Sequence, residues 1–467
     1  MNKAPKLTNK TFDELQVGDE ASIERLCRIE DFYVFANASG NHNPLHLPEL
    51  DGDGDGKAEA LAPAMWVGSL VSAVLGNLLP GPGTRYRAQH FAFHAPACAG
   101  DTLTVSVKVT SKADDGRLVG LATTVVRGDG TLIADGEAQV LAPQAKVSLD
   151  GSVVPGLTVR SHVHFDALLD RARPLEPIPT AVVAPESEDA LEGALLGAQN
   201  TLITPILVGD PEKIADIAKG IGADLSAYSI EPARTHDEAA ARAVALVHEG
   251  KAQALMKGHL HTDELLGHVV KSNGGLRTKR RLSHVFVMDV PGLDHLLLIT
   301  DAAINIAPDL SAKADITQNA IYLAHALGMP EPRVGILSAV ETVNPKMPST
   351  LDAAALSKMA DRGQITGGIV DGPLAMDNAM SVEAARTKGL HSLVAGHAEI
   401  LVVPNLEAGN MMAKELTFLA HAEAGGIVLG ARCPIILNSR ADDEKARLAS
   451  CAVAALVANH AADEAAH

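Results

Sequence analysis

The sequence predicts a multidomain protein in which an α+β domain is followed by a larger α/β domain, and three observations predict it. At 467 residues the chain is longer than one hydrophobic core usually organises. Four stretches between 84 and 141 alternate apolar and polar residues with the period of two that a half-buried strand requires. After 179 the rhythm changes to strand, helix, strand, helix, the pattern of a parallel sheet covered by helices.

Composition narrows the class. Hydrophobic residues at 47% and charged residues at 21% favour folded domains over long disordered segments. Aromatics are only 3%, so Ala, Val, Leu and Ile must do the packing. A net charge of -18 repels phosphate backbones, and no nucleic-acid partner is expected. Cys27, Cys98, Cys433 and Cys451 show no C-x-x-C spacing, which fits a reducing compartment. The opening M-N-K-A-P-K-L-T-N-K-T-F has basic residues with no apolar run behind them. No uncharged apolar run approaches the roughly 20 residues of a spanning helix. The expectation is a cytoplasmic protein with no membrane partner.

In the front domain, 1–145, an early strand at 21–28 and strands at 84–94, 101–111, 117–127 and 131–141 surround one helix at 61–79. A-D-D-G and G-D-G supply hairpin turns, and the helix is apolar around its girth, as a buried one must be. The acidic D-G-D-G-D-G at 51–56 lacks the terminal Glu of a calcium loop and reads as solvated.

Three motifs stand out here: S-G-N-H-N-P-L-H at 39–46, L-P-G-P-G-T at 79–84 and P-A-C-A-G-D-T-L-T at 96–104. They resemble the MaoC-like enoyl-CoA hydratases of the hot-dog fold, whose motif reads S-G-D-x-N-P-x-H. The resemblance implies an Asp and a His that activate water for addition to an enoyl thioester. His46 stands at the His position, but Asn41 occupies the Asp position, and Pro63-Ala64 replace the family's usual His-Gly. An amide cannot take a proton as a carboxylate can. The expectation is that Asn41 and His46 hold an acyl-CoA, with hydration impaired.

Prolines in S-V-V-P-G-L and R-P-L-E-P-I-P mark 146–179 as a linker with no long regular element. H-V-H at 162–164 reads as partly buried polar groups rather than a metal site.

The α/β domain, 180–467, opens with strands at 180–184, 205–208, 227–231 and 254–257, separated by helices at 187–199, 211–220 and 236–249. The alternation returns at 333–338, 367–371 and 399–403. Between them an antiparallel pair, 285–290 and 295–300, is joined by P-G-L-D. Near the end, a strand at 400–403 and a Pro-Asn turn lead into a helix opened by Gly409 and Asn410 and closed at Gly425-Gly426. A strand at 434–437 then delivers Asn438, Ser439, Arg440, Asp442 and Asp443 at its carboxyl end, where parallel sheets place their chemistry. A hydroxyl, a fixed cation and a base fall within five residues. The plainer reading is a capped helix start, with Ser439 or Asp443 as the cap.

G-H-L-H-T-D, I-T-D-A-A-I-N, V-D-G-P-L-A-M-D, P-N-L-E-A-G-N and N-S-R follow one another in this order from 258 to 440. Together they resemble the phosphate acetyl/butyryl transferase family over 180–460. The resemblance implies reversible acyl transfer between CoA and inorganic phosphate, in a cleft between subdomain I (180–281 and 436–467) and subdomain II (282–435). It also implies a fold like the isocitrate and isopropylmalate dehydrogenases. The implied partners are CoA or acyl-CoA, acyl phosphate and phosphate, with no cofactor and no metal. A homodimer or larger homo-oligomer is expected, with the apolar helix at 449–457 as a candidate contact.

The chemistry gives each residue type a reason. A thiol with a pKa near about 8.5 is mostly protonated at neutral pH, so CoA attack benefits from a base; Asp443 is the candidate, with Asp442 as its alternate. Ser439 would donate to the oxygen on which charge builds. Arg440, with Arg277 and Arg281, would hold the leaving phosphate; Asn438 and Asn410 complete the expected substrate contacts. Two other readings compete: an acyl-CoA-binding protein without catalysis, and an NAD(P)-dependent decarboxylating dehydrogenase of the same fold. The second needs clustered aspartates or a G-x-G-x-x-G fingerprint, and the sequence has neither.

Overall fold

The computed structural model describes residues 6–47, 60–113, 115–150, 163–438 and 444–466, and the chain divides into two units, Met1–Val159 and Arg160–His467.

The first unit contains β1 (Lys6–Thr8), β2 (Glu20–Leu26), α1 (Ile29–Ser39), α2 (Ala64–Asn77), β3 (Arg85–Phe93), β4 (Thr102–Ala113), β5 (Leu118–Arg127), β6 (Leu132–Leu141) and β7 (Ser148–Asp150). Five of these strands form an antiparallel sheet in the order β2-β4-β5-β6-β3, and β1 pairs with β7. Alternation in sequence becomes alternation in burial: Leu103, Val105, Val107 and Val109 of β4 point into the core. They meet Val67, Leu70, Val71, Val74 and Leu75 of α2, side chains worth about 1.5–3 kcal/mol each when fully buried. A Cβ on Gly68 would lie 2.9 Å from the Phe91 ring, so glycine lets α2 close on β3. The sequence read one helix here, and the structure has a second. α1 buries only Phe32 and Ala36, leaving Ile29 and Val34 exposed, so no clean apolar stripe announces it.

The second unit opens with α3 (Val163–Ala172), β8 (Ile178–Val183), α4 (Glu188–Gln199), β9 (Ile203–Gly209), α5 (Pro211–Ile221), β10 (Ser229–Pro232), α6 (His236–His248), β11 (Ala254–Lys257) and α7 (Thr262–Val269). It continues with β12 (Ser283–Asp289), β13 (Leu297–Thr300), α8 (Leu310–Ala326), β14 (Arg333–Leu337), α9 (Pro348–Asp361), β15 (Ile369–Leu374), α10 (Met376–Met380) and α11 (Val382–Thr387). It closes with β16 (Ile400–Val402), α12 (Leu406–Leu419), β17 (Glu423–Leu429), β18 (Ile435–Ile436) and α13 (Glu444–Ala466). One eleven-stranded sheet runs β10-β9-β8-β11-β18-β17-β12-β13-β16-β14-β15.

The strands from β10 to β18 are parallel to one another, as are β13, β16, β14 and β15. Between the two groups lie antiparallel ladders joining β18 to β17, β17 to β12 and β12 to β13. Three reversals turn the second group around, so its carboxyl ends face the opposite end of the sheet from those of β8, β11 and β18.

Three expectations need correction. The expected linker holds α3, a ten-residue helix that fits between Pro155 and Pro174 and buries Phe165, Leu168 and Leu169. The helix assigned to start at Gly409 starts instead at Leu406, and the side chain of Asn405, its N-cap, accepts the N–H of Ala408 at 2.9 Å. It ends at Leu419, and Gly425-Gly426 sit inside strand β17. Gly409 serves a different need: a Cβ there would be 2.7 Å from Val403 and 2.9 Å from Ala302. Finally, Ala449 and the run from Cys451 to Val457 are buried in the chain's own core, so that stretch offers no surface to a second copy.

Candidate active site

The carboxyl ends of β8, β11 and β18 build one polar pocket. After β8 the chain turns at Ala184, held at φ +50, and its carbonyl accepts the N–H of His259 at 2.7 Å. Gly258 donates to the carbonyl of Val183 at 2.9 Å. A Cβ on Gly258 would lie 2.4 Å from the carbonyl oxygens of both Val183 and Ala184, so the Lys-Gly-His turn needs its glycine. Ser187 caps α4, accepting the N–H of Ala190 at 3.4 Å.

Ser187, Lys257, His259, Asn438 and Arg447 line this pocket together. Arg447 donates to the carbonyl of Asp189 and packs along Gly193, where a Cβ would meet its Cδ at 3.2 Å. The Oδ1 of Asn438 is buried with no hydrogen-bond partner. A buried acceptor without a donor costs free energy, and this one stands immediately before the expected Ser439, Arg440, Asp442 and Asp443. Those four residues lie outside the described residues; Asn438 and Glu444 flank them. Arg447 and His259 were not among the expected site residues, although His259 lies in the G-H-L-H-T-D motif and Arg447 stands seven residues beyond N-S-R.

Behind His259, Glu186 is held by the N–H of Asp210 at 3.2 Å and Lys213 at 2.8 Å. Burial pushes its carboxyl up, but Lys213 and that N–H outweigh burial and leave it below its usual value. Among the described residues, no three His, Cys, Asp or Glu side chains gather as a metal site.

Arg277, Arg281 and Asn410 sit elsewhere. Arg277 bridges Ala431, and Asn410 donates to the carbonyl of Ala302 at 3.2 Å. In the ladders Leu437 bonds Gly426, and Gly425 faces Val287. Asn438 is thus level with Val287, six residues along from Arg281, or about 20 Å at strand rise. The sheet therefore does not bring Arg277 and Arg281 to the pocket of Asn438.

At that other end, Asp301 is 2% exposed and organises I-T-D-A-A-I-N. It accepts the N–H groups of Ala303, Ile304 and Asn305 at 3.0, 3.1 and 3.2 Å, and the Asn305 side chain as well. Nearby, His284 is buried, its ring 4.4 Å from Phe286 and its Nδ1 unpartnered. Burial pushes this imidazole down to about 4 against an upward pull from Asp301.

In the first unit, α1 ends at Gly40, φ +72, and the chain passes Asn41 to reach His46. The His46 Nδ1–H donates to the carbonyl of Leu61 at 2.9 Å; a carbonyl only accepts, so Nε2 is the free acceptor. The Asn41 side-chain oxygen accepts the N–H of Asn43 at 3.3 Å.

The chain is 61% identical over 294 residues to a phosphate acetyltransferase of Rhizobium meliloti, covering 63% of this chain and 93% of that protein. This chain belongs to the phosphate acetyl/butyryl transferase family. The family model for phosphate acetyl/butaryl transferase matches 228–455. A phosphate butyryltransferase of Clostridium acetobutylicum is 44% identical over 63% of this chain and 98% of its own length. Among solved structures, a branched-chain phosphotransacylase from Enterococcus faecalis V583 is similar at 31% identity and TM-score 0.53, over 61% of this chain and 99% of that one. The transferase unit is thus joined to a second domain, since 15–128 match the MaoC like domain model.

Proposed function

We infer that the second unit moves a short acyl group between CoA and inorganic phosphate, with the pocket of Asn438 and His259 as its reaction centre. The carrying observation is the 61% identity to a phosphate acetyltransferase across 93% of that protein. The pocket supports the same reading, because Asn438, the first residue of N-S-R, lines it.

In the direction of acyl-CoA synthesis, the thiol loses its proton to Asp443, or to Asp442 one residue before it. The sulfur then attacks the acyl carbonyl. Ser439 donates to the oxygen that becomes negative, and Arg440 holds the phosphate as the C–O bond to it breaks. The leaving phosphate takes up the proton held by the aspartate, and the products are the thioester and inorganic phosphate. Asn438 has an acceptor to offer an amide N–H or hydroxyl of the bound substrate. No cofactor enters this chemistry. Spectrophotometric assay of the full chain with acetyl or butyryl phosphate and CoA tests it.

The sheet with its central reversal supports an isocitrate and isopropylmalate dehydrogenase-like arrangement, with 180–281 and 436–467 as one subdomain and 282–435 as the other. No helix among the described residues is long and apolar enough to cross a membrane, and we place the protein in the cytoplasm. We also propose a homodimer, with Met411, Phe418 and Leu419 on α12 as the exposed apolar strip that a second copy would cover. The first unit is read as an acyl-CoA-binding domain in which Asn41 leaves hydration impaired.

A further inference from the structure

A second concave site lies at the far end of the sheet from Asn438. Lys279, Arg280 and Arg432 stand on the rim of a cavity of about 380 Å³, within the range of small-ligand sites. All three are exposed, and none has an ion pair or side-chain hydrogen bond among the described residues. In a chain with 57 acidic and 39 basic side chains, three neighbouring cations without a described acid partner call for an anion. The floor is apolar, made by Leu429, Pro434 and Val457, with Tyr322 at one side.

The rim is also preorganised. Arg432 N–H donates to the carbonyl of Leu276 at 2.9 Å, and the Thr278 hydroxyl donates to the carbonyl of Gly430 at 2.7 Å. A Cβ on Gly430, φ +89, would lie 2.3 Å from the carbonyl oxygen of Arg281, so only glycine lets these two loops press together. Loop backbone fixed before the ligand arrives loses less entropy on binding.

We propose that this cavity binds a ligand of the nucleoside diphosphate class, with the diphosphate on Lys279, Arg280 and Arg432 and the base on the apolar floor beside Tyr322. The rim at Arg432 lies six residues, about 20 Å, and the floor at Leu429 four residues, about 13 Å, along the strands from the level of Asn438, and the proposal is independent of the acyl-transfer reading.

Titration calorimetry of the full chain with ADP tests the proposal. ADP should bind, and Arg280→Ala and Arg432→Ala should each weaken it roughly tenfold or more while leaving the melting temperature without ADP unchanged. Saturating CoA should not alter ADP affinity, and inorganic pyrophosphate should bind more weakly than ADP. Pyrophosphate binding as tightly as ADP would remove the role of the floor, and displacement by CoA would make the cavity part of the substrate site; either overturns the proposal. So would ADP affinity unchanged in both variants. No binding at all would also overturn it.

Discussion

The N–H of His259 donates to the carbonyl of Ala184 across 2.7 Å, and this bond ties the turn after β11 to the turn after β8. It fixes the wall of the pocket that Asn438 enters. Gly258 makes the tie possible, because no side chain fits there.

Gly258→Ala is accordingly expected to cost about 1–3 kcal/mol, the usual range for forcing atoms into a packed site. Urea unfolding measures the loss, and kinetics with acyl phosphate should show a fall in kcat/KM. Wild-type stability would mean that the turn can relax away from Val183 and Ala184.

Asp301→Ala removes the acceptor for three backbone donors and one side-chain donor in a buried loop. Each buried donor left unsatisfied costs roughly 1–3 kcal/mol, so the expected loss is at least about 3 kcal/mol. A midpoint in denaturant close to that of the wild type would contradict the role given to this carboxylate.

His284 should make stability depend on pH. Its folded value lies near about 4, whereas an unfolded histidine titrates near about 6.5. Between those values the unfolded chain takes up a proton that the folded chain refuses, so stability is full above the window and falls as pH drops through it. His284→Gln should flatten the slope of unfolding free energy against pH there. An unchanged slope would assign the dependence to other groups.

In the first unit, the full chain should show little hydration of crotonyl-CoA, and Asn41→Asp should raise the rate, since one acid-base partner is worth about 10²- to 10⁴-fold. Brisk hydration by the unaltered protein, abolished in His46→Ala, would show that another base has replaced the carboxylate.

The elements carried by strong periodicity were legible in sequence. β11 and its neighbours follow the alternation of apolar runs and capped helices, and β4 to β6 follow a period of two. What escaped had a physical disguise. The two glycines of β17 look like a helix stop, yet Gly426 is needed because a Cβ would lie 2.6 Å from the carbonyl of Leu437. α3 hides between prolines that bracket it without entering it. The antiparallel pair β12 and β13 was legible from its P-G-L-D turn, but the further reversal at β17, between β18 and β12, is invisible to local pattern, and together these reversals separate Arg277 and Arg281 from Asn438. Motif order revealed the family more firmly than strand-end logic revealed the site.

The most direct test of the account is the reaction of the full chain and of Arg440→Ala with acetyl or butyryl phosphate and CoA, following thioester and phosphate together. The wild type should form both in equal amounts. Arg440→Ala should lose roughly 10²-fold or more in kcat/KM for acyl phosphate, with the KM for CoA little changed. No thioester from the wild type, or Arg440→Ala kinetics indistinguishable from it, would contradict the assignment of phosphate acyl transfer to this chain.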